Sequence, residues 1–565
     1  MRQILGIHDG HNASVALFGD GKILYAIQEE RLVREKNKGG FPTRALEHVL
    51  SRFDLKPADI GHVGMSSHFQ DRHYNLPLDL HLTRVYRRSP LAQLKRKLTQ
   101  LGWYKAYRTA LTKRERSKMI EEMGFRRDCV TFVGHHQAHA AMAYFGMRQD
   151  EGDYLVLTLD GSGDWLCSTV SRACGGKMTR LAQTTDHHSL GYMYATVTRL
   201  LGFRPLEDEY KLMGMAGYCS EAAQARASAV FSRYLGIDPA NSLCFRKKTR
   251  IPAPFLGPYL EKDLAGMRFD HICGGLQLFT ERLILDWVRG CIRECGLKRL
   301  ILGGGVFMNV KANKLIMELP EIEWLAVSPS CGDETLSLGA CYEVASESGD
   351  KIQRLENFYL GDEVTERDCE KAVNGSAGFT VERPANLALR IAELLAQGQV
   401  VARAGGRMEF GARALGNRSI FADPSNADVV RVINHMIKRR DFWMPFAPVA
   451  LKRNVEELCV NPLRLASPYM MLAFDTVEGA RPDLRAAIHP ADLTARLQIV
   501  EPGSNRELEA ILEAFEKKTG RKALLNTSFN LHGYPIVCAA EDALAVFRES
   551  GLQCLALGPF LIQKR

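Results

Sequence analysis

Residues 154–164 read YLVLTLDGSGD, and this stretch decides the fold. Residues 154–159 are apolar and β-rich, and the run ends in Asp160-Gly161-Ser162-Gly163-Asp164. Glycines let a backbone approach a phosphate closely, and the two carboxylates can hold a cation or water. A plain hairpin loop has the same composition, so the stretch alone leaves both readings open. Two units of similar build flank it. Upstream, residues 3–7 predict a strand, followed by His8-Asp9-Gly10-His11-Asn12, a strand over 14–18, the turn Gly19-Asp20-Gly21 and a strand over 22–27. This is a hairpin meander whose polar residues gather in its first turn. Downstream, residues 299–302 predict a strand that runs into Gly303-Gly304-Gly305, with Asn309 just beyond. Helical apolar spacing over 275–295 lies between them. Strands that end in glycine-rich acidic turns and alternate with helices describe a nucleotide-binding α/β domain.

The pattern resets near residue 350. Residues 346–351 are polar, 386–396 predict a helix ended by Gly398, and 400–402 predict a strand. A dense polar stretch covers 405–424, a helix is expected over 426–439, and a strand over 522–525 ends in Asn526-Thr527-Ser528. The division is expected at 350–357, giving domains 1–352 and 353–565, because 565 residues exceed one ordinary core.

Composition narrows the class. Hydrophobic residues at 46% and charged residues at 25% suit a globular protein, and no apolar run reaches bilayer-spanning length. The opening MRQILGIHDG lacks the long apolar core and cleavage site of a signal peptide and reads as a strand. Fourteen cysteines lie mostly in apolar stretches and never as C-x-x-C, so buried free thiols in a reducing cytoplasm are expected. The net charge of +9 is partly local, since residues 81–127 hold fourteen Lys/Arg against three acids. A solvated helical insertion is one reading of that run and an anionic partner, a pocket wall or a dimer contact the others, and no nucleic-acid motif accompanies it.

Several side chains are candidates for chemistry. In HHQAHAA, residues 135–141, a helix would place His135 and His139 one turn apart on one face, able to share a metal ion. A packing or capping pair is the alternative. Two imidazoles need a carboxylate to complete a site, and Asp333 in SCGDE is the candidate. His11, beside Asp9, can act as a general base or simply bond to its own turn. In GGRMEFGARALGNRS, residues 405–419, three arginines and four glycines can bind phosphate or carboxylate through side-chain forks and backbone amides. Lys438, Arg439 and Arg440 end the next helix, where the helix dipole also favours cations. Arg496 sits among apolar neighbours and calls for an anionic partner. Asn526 and Ser528 add donors at a strand end. Together these describe a basic pocket for a small phosphorylated substrate.

The ordered motifs at 8–14, 135–141, 159–164, EYKLMG at 209–214, 303–309, 331–340, 406–419, PFAP at 445–448 and 526–530, with Gly533 and Pro535-Ile536-Val537, resemble the NodU/CmcH carbamoyltransferases. The resemblance covers nearly the whole chain and is weakest across 70–128. It implies an α/β architecture with an actin-like ATPase (ASKHA, ribonuclease H-like repeat) domain followed by a YrdC-like domain. It further implies that carbamoyl phosphate and ATP give carbamoyl-adenylate, whose carbamoyl group passes to a hydroxyl of a small natural-product or sugar-like acceptor. By motif position, His135, His139 and Asp333 would hold a divalent metal, Fe2+ in the family, and His11 with Asp9 would be catalytic. Asp160, Gly161, Gly163, Gly304, Gly305 and Asn309 would bind nucleotide, with Mg2+ a companion of ATP. Arg413, Lys438, Arg496, Asn526 and Ser528 would bind carbamoyl phosphate. Met444 stands where relatives often carry an arginine, so either Arg439 or Arg440 supplies that charge or the pocket works with fewer cations. No membrane or nucleic-acid partner is expected, and a homodimer is compatible with the family. Two rivals are a threonylcarbamoyl-type tRNA-modifying enzyme and a catalytically silent nucleotide-binding regulator. The C-x-x-C zinc motifs of hydrogenase-maturation enzymes are absent from the sequence.

Overall fold

The computed structural model describes residues 3–70, 101–374 and 378–565. The stretch 71–100 of the basic segment lies outside the described residues.

The first sheet runs in the order β3-β2-β1-β4-β5. Strands β1 (Ile4–His8), β2 (Ser14–Gly19) and β3 (Lys22–Gln28) form the antiparallel meander expected from their turns. Strands β4 (His62–Ser66) and β5 (Val130–Val133) extend the sheet in parallel from β1. The second sheet repeats this plan. Strands β6 (Tyr154–Gly163), β7 (Leu166–Cys174) and β8 (Lys177–Thr185) are antiparallel neighbours. After a separate hairpin of β9 (Leu235–Asp238) and β10 (Asn241–Lys247), β11 (Arg299–Gly303) and β12 (Trp324–Val327) join parallel to β6. Three antiparallel strands followed by two parallel ones, used twice, is the duplicated ribonuclease H-like plan of an actin-like ATPase fold.

Two helices fill the space between these sheets, His135–Met147 and Leu336–Glu347. Ala138, Ala141 and Met142 share one buried cluster with Leu338, Ala340 and Tyr342, and with Ile4 and Ala16 of one sheet and Val156 of the other. The small residues set the spacing: a Cβ on Gly339 would lie 1.9 Å from the carbonyl oxygen of Ala138. Burial of side chains of this size between two faces is the main stabilising term of such a layer.

The remaining strands build an eight-stranded mixed sheet from β14 (Phe379–Glu382), β15 (Val401–Ala404), β17 (Arg418–Ala422), β18 (Ala447–Leu451), β21 (Gln498–Val500), β22 (Ala523–Ser528), β23 (Cys554–Leu557) and β24 (Phe560–Lys564). Its order is β14-β24-β23-β15-β17-β22-β18-β21. Two small ladders accompany it, β13 (Glu363–Val364) with β16 (Gly406–Arg407) and β19 (Phe474–Asp475) with β20 (Thr494–Ala495). The two halves are packed together. Val455, Leu484 and Leu497 share a cluster with Leu300, Leu302 and Ile316, and Phe358 and Leu360 pack into the core of the first half.

Three local expectations are corrected. Asp160 to Gly163 are not a turn: β6 continues through them with an irregular register, and the turn is the pair Asp164-Trp165. The helix expected over 426–439 is α-helical only at Asp428–Ile433, then widens to a π-turn at Asn434–Lys438 and stops at Arg439 in left-handed conformation, φ 43°. Lys438, the last residue of that wider turn, is buried. Asn526, Thr527 and Ser528 lie within β22, held by pairing to β17 and β18. All fourteen cysteines are unpaired. Among the described residues, no helix is long and apolar enough to cross a membrane.

Candidate functional site

The helix starting at His135 is aimed by Asp164. Its carboxylate accepts the backbone N–H of His135 at 2.7 Å and those of His68 and Phe69 at 3.0 and 2.7 Å. An acid at a helix N-terminus satisfies otherwise orphaned donors and suits the dipole. Asp164 is thereby committed to backbone donors, whereas the sequence had grouped it with carboxylates free for a cation.

With the helix placed, His135 and His139 project side by side and meet two carboxylates. His139 Nε2 lies 3.1 Å from Asp160 Oδ2 and 3.5 Å from Asp333 Oδ1. His135 Nε2 lies 3.3 and 3.7 Å from the same two groups. One donor atom from each of the four residues lies within 4.8 Å of all the others. Asp160, expected at the nucleotide, is the member of this cluster that the sequence reading missed. Burial works against a charge on His139, but its hydrogen bonds to Asp160 and Asp333 outweigh it and hold the imidazole up to about 9. Burial pushes Asp160 upward, yet the two histidines carry it well below the usual carboxylate range. Two imidazoles and two carboxylates at this separation fit a divalent transition metal such as iron, manganese or zinc. His135 Nδ1 lies 3.1 Å from Ser67 Oγ, the kind of outer contact that fixes a ligand ring. His136 turns away to Thr158 Oγ1, and burial lowers its pKa to about 3.

Glycines make room for this cluster. A Cβ on Gly163 would fall 2.0 Å from the His135 ring, and one on Gly304, at φ 94°, would meet the Leu159 carbonyl at 2.6 Å. Gly161, Gly163, Gly305 and Asn309 line the adjoining cavity. Asn309 caps the helix Val310–Met317 and exchanges paired amide bonds of 2.9 Å with Gln277, so its side chain is already engaged. Gly304 lies behind that wall.

The turn after β1 separates two residues the sequence had coupled. His11 lines the cavity, and its Nε2 has no hydrogen-bond partner among the described residues. Asp9 instead gives both oxygens to Arg116 and does not line the cavity. His8, unremarked in the sequence, braces the turn. Its Nε2 bonds to the His11 carbonyl at 2.9 Å and its Nδ1 to Ser66 Oγ at 2.7 Å. A carbonyl can only accept, so Nε2 carries the proton and Nδ1 accepts from Ser66. Burial lowers His8 to about 4, against the pull of Asp333, which keeps the ring neutral.

Arg413, Lys438, Arg496 and Ser528 line the same cavity, joined by Arg440. Lys438 is 2% exposed and donates to Ser528 Oγ at 3.0 Å, to Asn530 Oδ1 at 2.7 Å and to the Ser528 carbonyl. None of these is a carboxylate. Burial and the neighbouring cations Arg440 and Lys36 drive Lys438 well below the usual lysine range. Burial and mutual repulsion act on Arg496, beside Arg413 and Arg440, in the same direction. Arg413 Nε and Arg496 Nε have no hydrogen-bond partner among the described residues. Among the described residues no ion pair joins a carboxylate to Arg413, Lys438, Arg440 or Arg496, although Glu334 lies near enough to act on Arg413, and clustered buried cations of this kind form a site for an anion. Arg440, and not the exposed Arg439, supplies the additional charge near Met444. Asn526 lies behind this wall, donating to Gln498 Oε1 at 2.7 Å and to the Ala414 carbonyl at 3.2 Å. One cavity of about 1100 Å³ is therefore lined by both the histidine–carboxylate cluster and the cation cluster.

Two family models match the chain: "Carbamoyltransferase N-terminus" over residues 3–342 and "Carbamoyltransferase C-terminus" over residues 392–564. An uncharacterized protein of Methanocaldococcus jannaschii is 31% identical over 577 residues, covering 99% of each chain. The nodulation protein NolNO of Sinorhizobium fredii is 31% identical, over 98% of this chain and 79% of its own. The 3'-hydroxymethylcephem-O-carbamoyltransferase of Amycolatopsis lactamdurans is 26% identical over 99% of each.

Proposed function

The chain belongs to the NodU/CmcH carbamoyltransferase family, and on that premise we propose that it makes carbamoyl-adenylate from carbamoyl phosphate and ATP and passes the carbamoyl group to a hydroxyl of a small molecule. The observation that supports this reading best is the single cavity shared by an anion site and a histidine–carboxylate cluster.

In the proposed sequence, residues 353–565 receive carbamoyl phosphate. Arg413, Lys438, Arg440 and Arg496 neutralise its phosphate, while Ser528 and Asn530 hold the lysine in place. Water adds at the carbonyl carbon, the bond to phosphate breaks, and carbamate and inorganic phosphate form. Carbamate decomposes in bulk water, so an enclosed route within one chamber preserves it. Within residues 1–352 a carbamate oxygen attacks the α-phosphorus of ATP and displaces pyrophosphate. The backbone at Gly161, Gly163 and Gly305 can approach the nucleotide closely. Asn309 lines the same wall with its amide engaged by Gln277, and Gly304 shapes it from behind. The acceptor hydroxyl then attacks the carbamoyl carbon, His11 takes its proton, and AMP leaves. Asp9 acts through Arg116, positioning the turn that presents His11. A divalent metal, Fe2+ in this reading, would be held by His135, His139, Asp160 and Asp333 and would supply charge neutralisation at the nucleotide phosphate.

The test is to incubate the purified protein with ATP, carbamoyl phosphate and Fe2+ and follow pyrophosphate. Release that requires carbamoyl phosphate is expected. Release that instead requires threonine and bicarbonate would favour tRNA modification, and silence under every metal condition would favour a regulator.

A further inference from the structure

Beside the histidine–carboxylate cluster the cavity has a wall to which none of the steps above assigns a role. It is built where the β6–β7 hairpin meets the helix Gly102–Glu122. The two-residue turn Asp164-Trp165 has φ values of 53° and 68°. Both positions of such a turn favour glycine or asparagine, and a bulky side chain there costs about 1 kcal/mol or more. The strained tryptophan stacks on Phe69, with ring centroids 4.5 Å apart and planes 23° apart. The two rings hold two cations. Lys105 Nζ lies 4.9 Å from the Trp165 ring centre, and Arg108 Cζ lies 5.6 Å from that of Phe69. Aromatic faces position a cation without cancelling its charge. Among the described residues neither Lys105 nor Arg108 makes an ion pair, and Arg108 donates to the Tyr104 hydroxyl at 3.2 Å. Behind them Asp186, 7% exposed, accepts from Ser162 Oγ through Oδ2 at 3.2 Å and feels the charge of Lys105, while its Oδ1 lies 4.0 Å from His187 Nε2 and has no hydrogen-bond partner among the described residues. All five side chains line the cavity.

We propose that this wall is the acceptor subsite, and that it selects a hydroxylated ring compound bearing an anionic group. Lys105 and Arg108 receive the anion, and Asp186 Oδ1 accepts from a hydroxyl that is not the one carbamoylated. The assignment rests on the carbamoyl-transfer reading and names the acceptor class that reading leaves open. A phosphate and a carboxylate would satisfy the same cations.

Glucose 1-phosphate, glucuronate, glucose and glucosamine distinguish these sources. The protein is supplied with ATP and carbamoyl phosphate, and each carbamoylated sugar is quantified by mass spectrometry. At least one anionic sugar should be used with kcat/KM more than tenfold above glucose, and glucosamine should not exceed glucose. Preference for glucose 1-phosphate assigns a phosphate, and preference for glucuronate a carboxylate. In Lys105→Ala/Arg108→Ala that advantage should fall to within about twofold. Equal use or no use of the four sugars overturns the proposal, as does a double variant that keeps the preference while its KM for ATP rises tenfold. Wild-type pyrophosphate release without any sugar reports the underlying reaction separately, so its loss sinks the transfer reading and its presence isolates the acceptor question.

Discussion

Arg116 grips Asp9 at two points, Nε to Oδ2 at 2.7 Å and Nη2 to Oδ1 at 2.5 Å, across 107 residues of sequence. The same guanidinium donates to the carbonyls of Ser66 and Ser67. One side chain thus ties the turn after β1 to the end of β4, with both partners almost wholly buried. Removing one member of such a pair leaves an uncompensated charge in the interior. Arg116→Ala should lose about 3–5 kcal/mol of stability in urea unfolding. Asp9→Asn/Arg116→Gln should recover part of that loss. An unchanged midpoint in the single variant would contradict the brace.

The four-residue cluster predicts metal affinity independent of turnover. Asp160→Asn and His139→Ala should each weaken binding of Zn2+ or Fe2+, read by calorimetry, by at least about tenfold. His136→Ala, whose ring turns to Thr158, should bind metal as the parent does. Equal affinity in all three variants would remove Asp160 from the ligand set.

The cation pocket predicts a graded response to carbamoyl phosphate. Lys438→Ala should raise its KM by about 100-fold, because a buried charge-assisted contact is worth about 1.5–3 kcal/mol. Ser528→Ala should cost about tenfold, since Asn530 still holds the ammonium. Loss of ATP binding with carbamoyl phosphate KM intact would place the anion site elsewhere.

Arg440 tests how this chain works with Met444. Arg440→Ala should raise KM for carbamoyl phosphate at least tenfold, whereas Arg439→Ala, on the exposed side of the turn, should change it less than twofold. The reverse ranking would show that the π-turn does not present its charges as described.

Glu209 predicts a pH-dependent stability. Burial lifts its carboxyl to about 7, although the Leu206 N–H bonded to it at 2.7 Å pulls the other way. Its folded pKa lies above its unfolded value, so the stability it contributes is complete below pH about 4.5 and is lost as pH rises through about 7. Melting temperatures between pH 4.5 and 8 should fall across that window more steeply in the parent than in Glu209→Gln. Parallel curves would mean the carboxyl is ionised in the fold.

Much of the site was legible because it is local. A helix repeat puts His135 and His139 on one face, and a glycine turn before Leu336–Glu347 presents Asp333. Both signals depend on spacing within a few residues. The capture of Asp9 by Arg116, the bracing by His8 and the commitment of Asp164 to three N–H groups were not legible. Each depends on at least one partner tens of residues away.

Sequence by itself determined the two strand–turn units, the paired imidazoles and the arginine-rich stretch of the second half, because periodicity and residue chemistry are properties of short segments. Only the tertiary structure decided which carboxylate joins the histidines, that Lys438 at the end of a π-turn is buried, and that anion site and metal cluster share one cavity. Those outcomes follow from chain crossings and from the exclusion of solvent, which turns scattered like charges into a site that demands an anion.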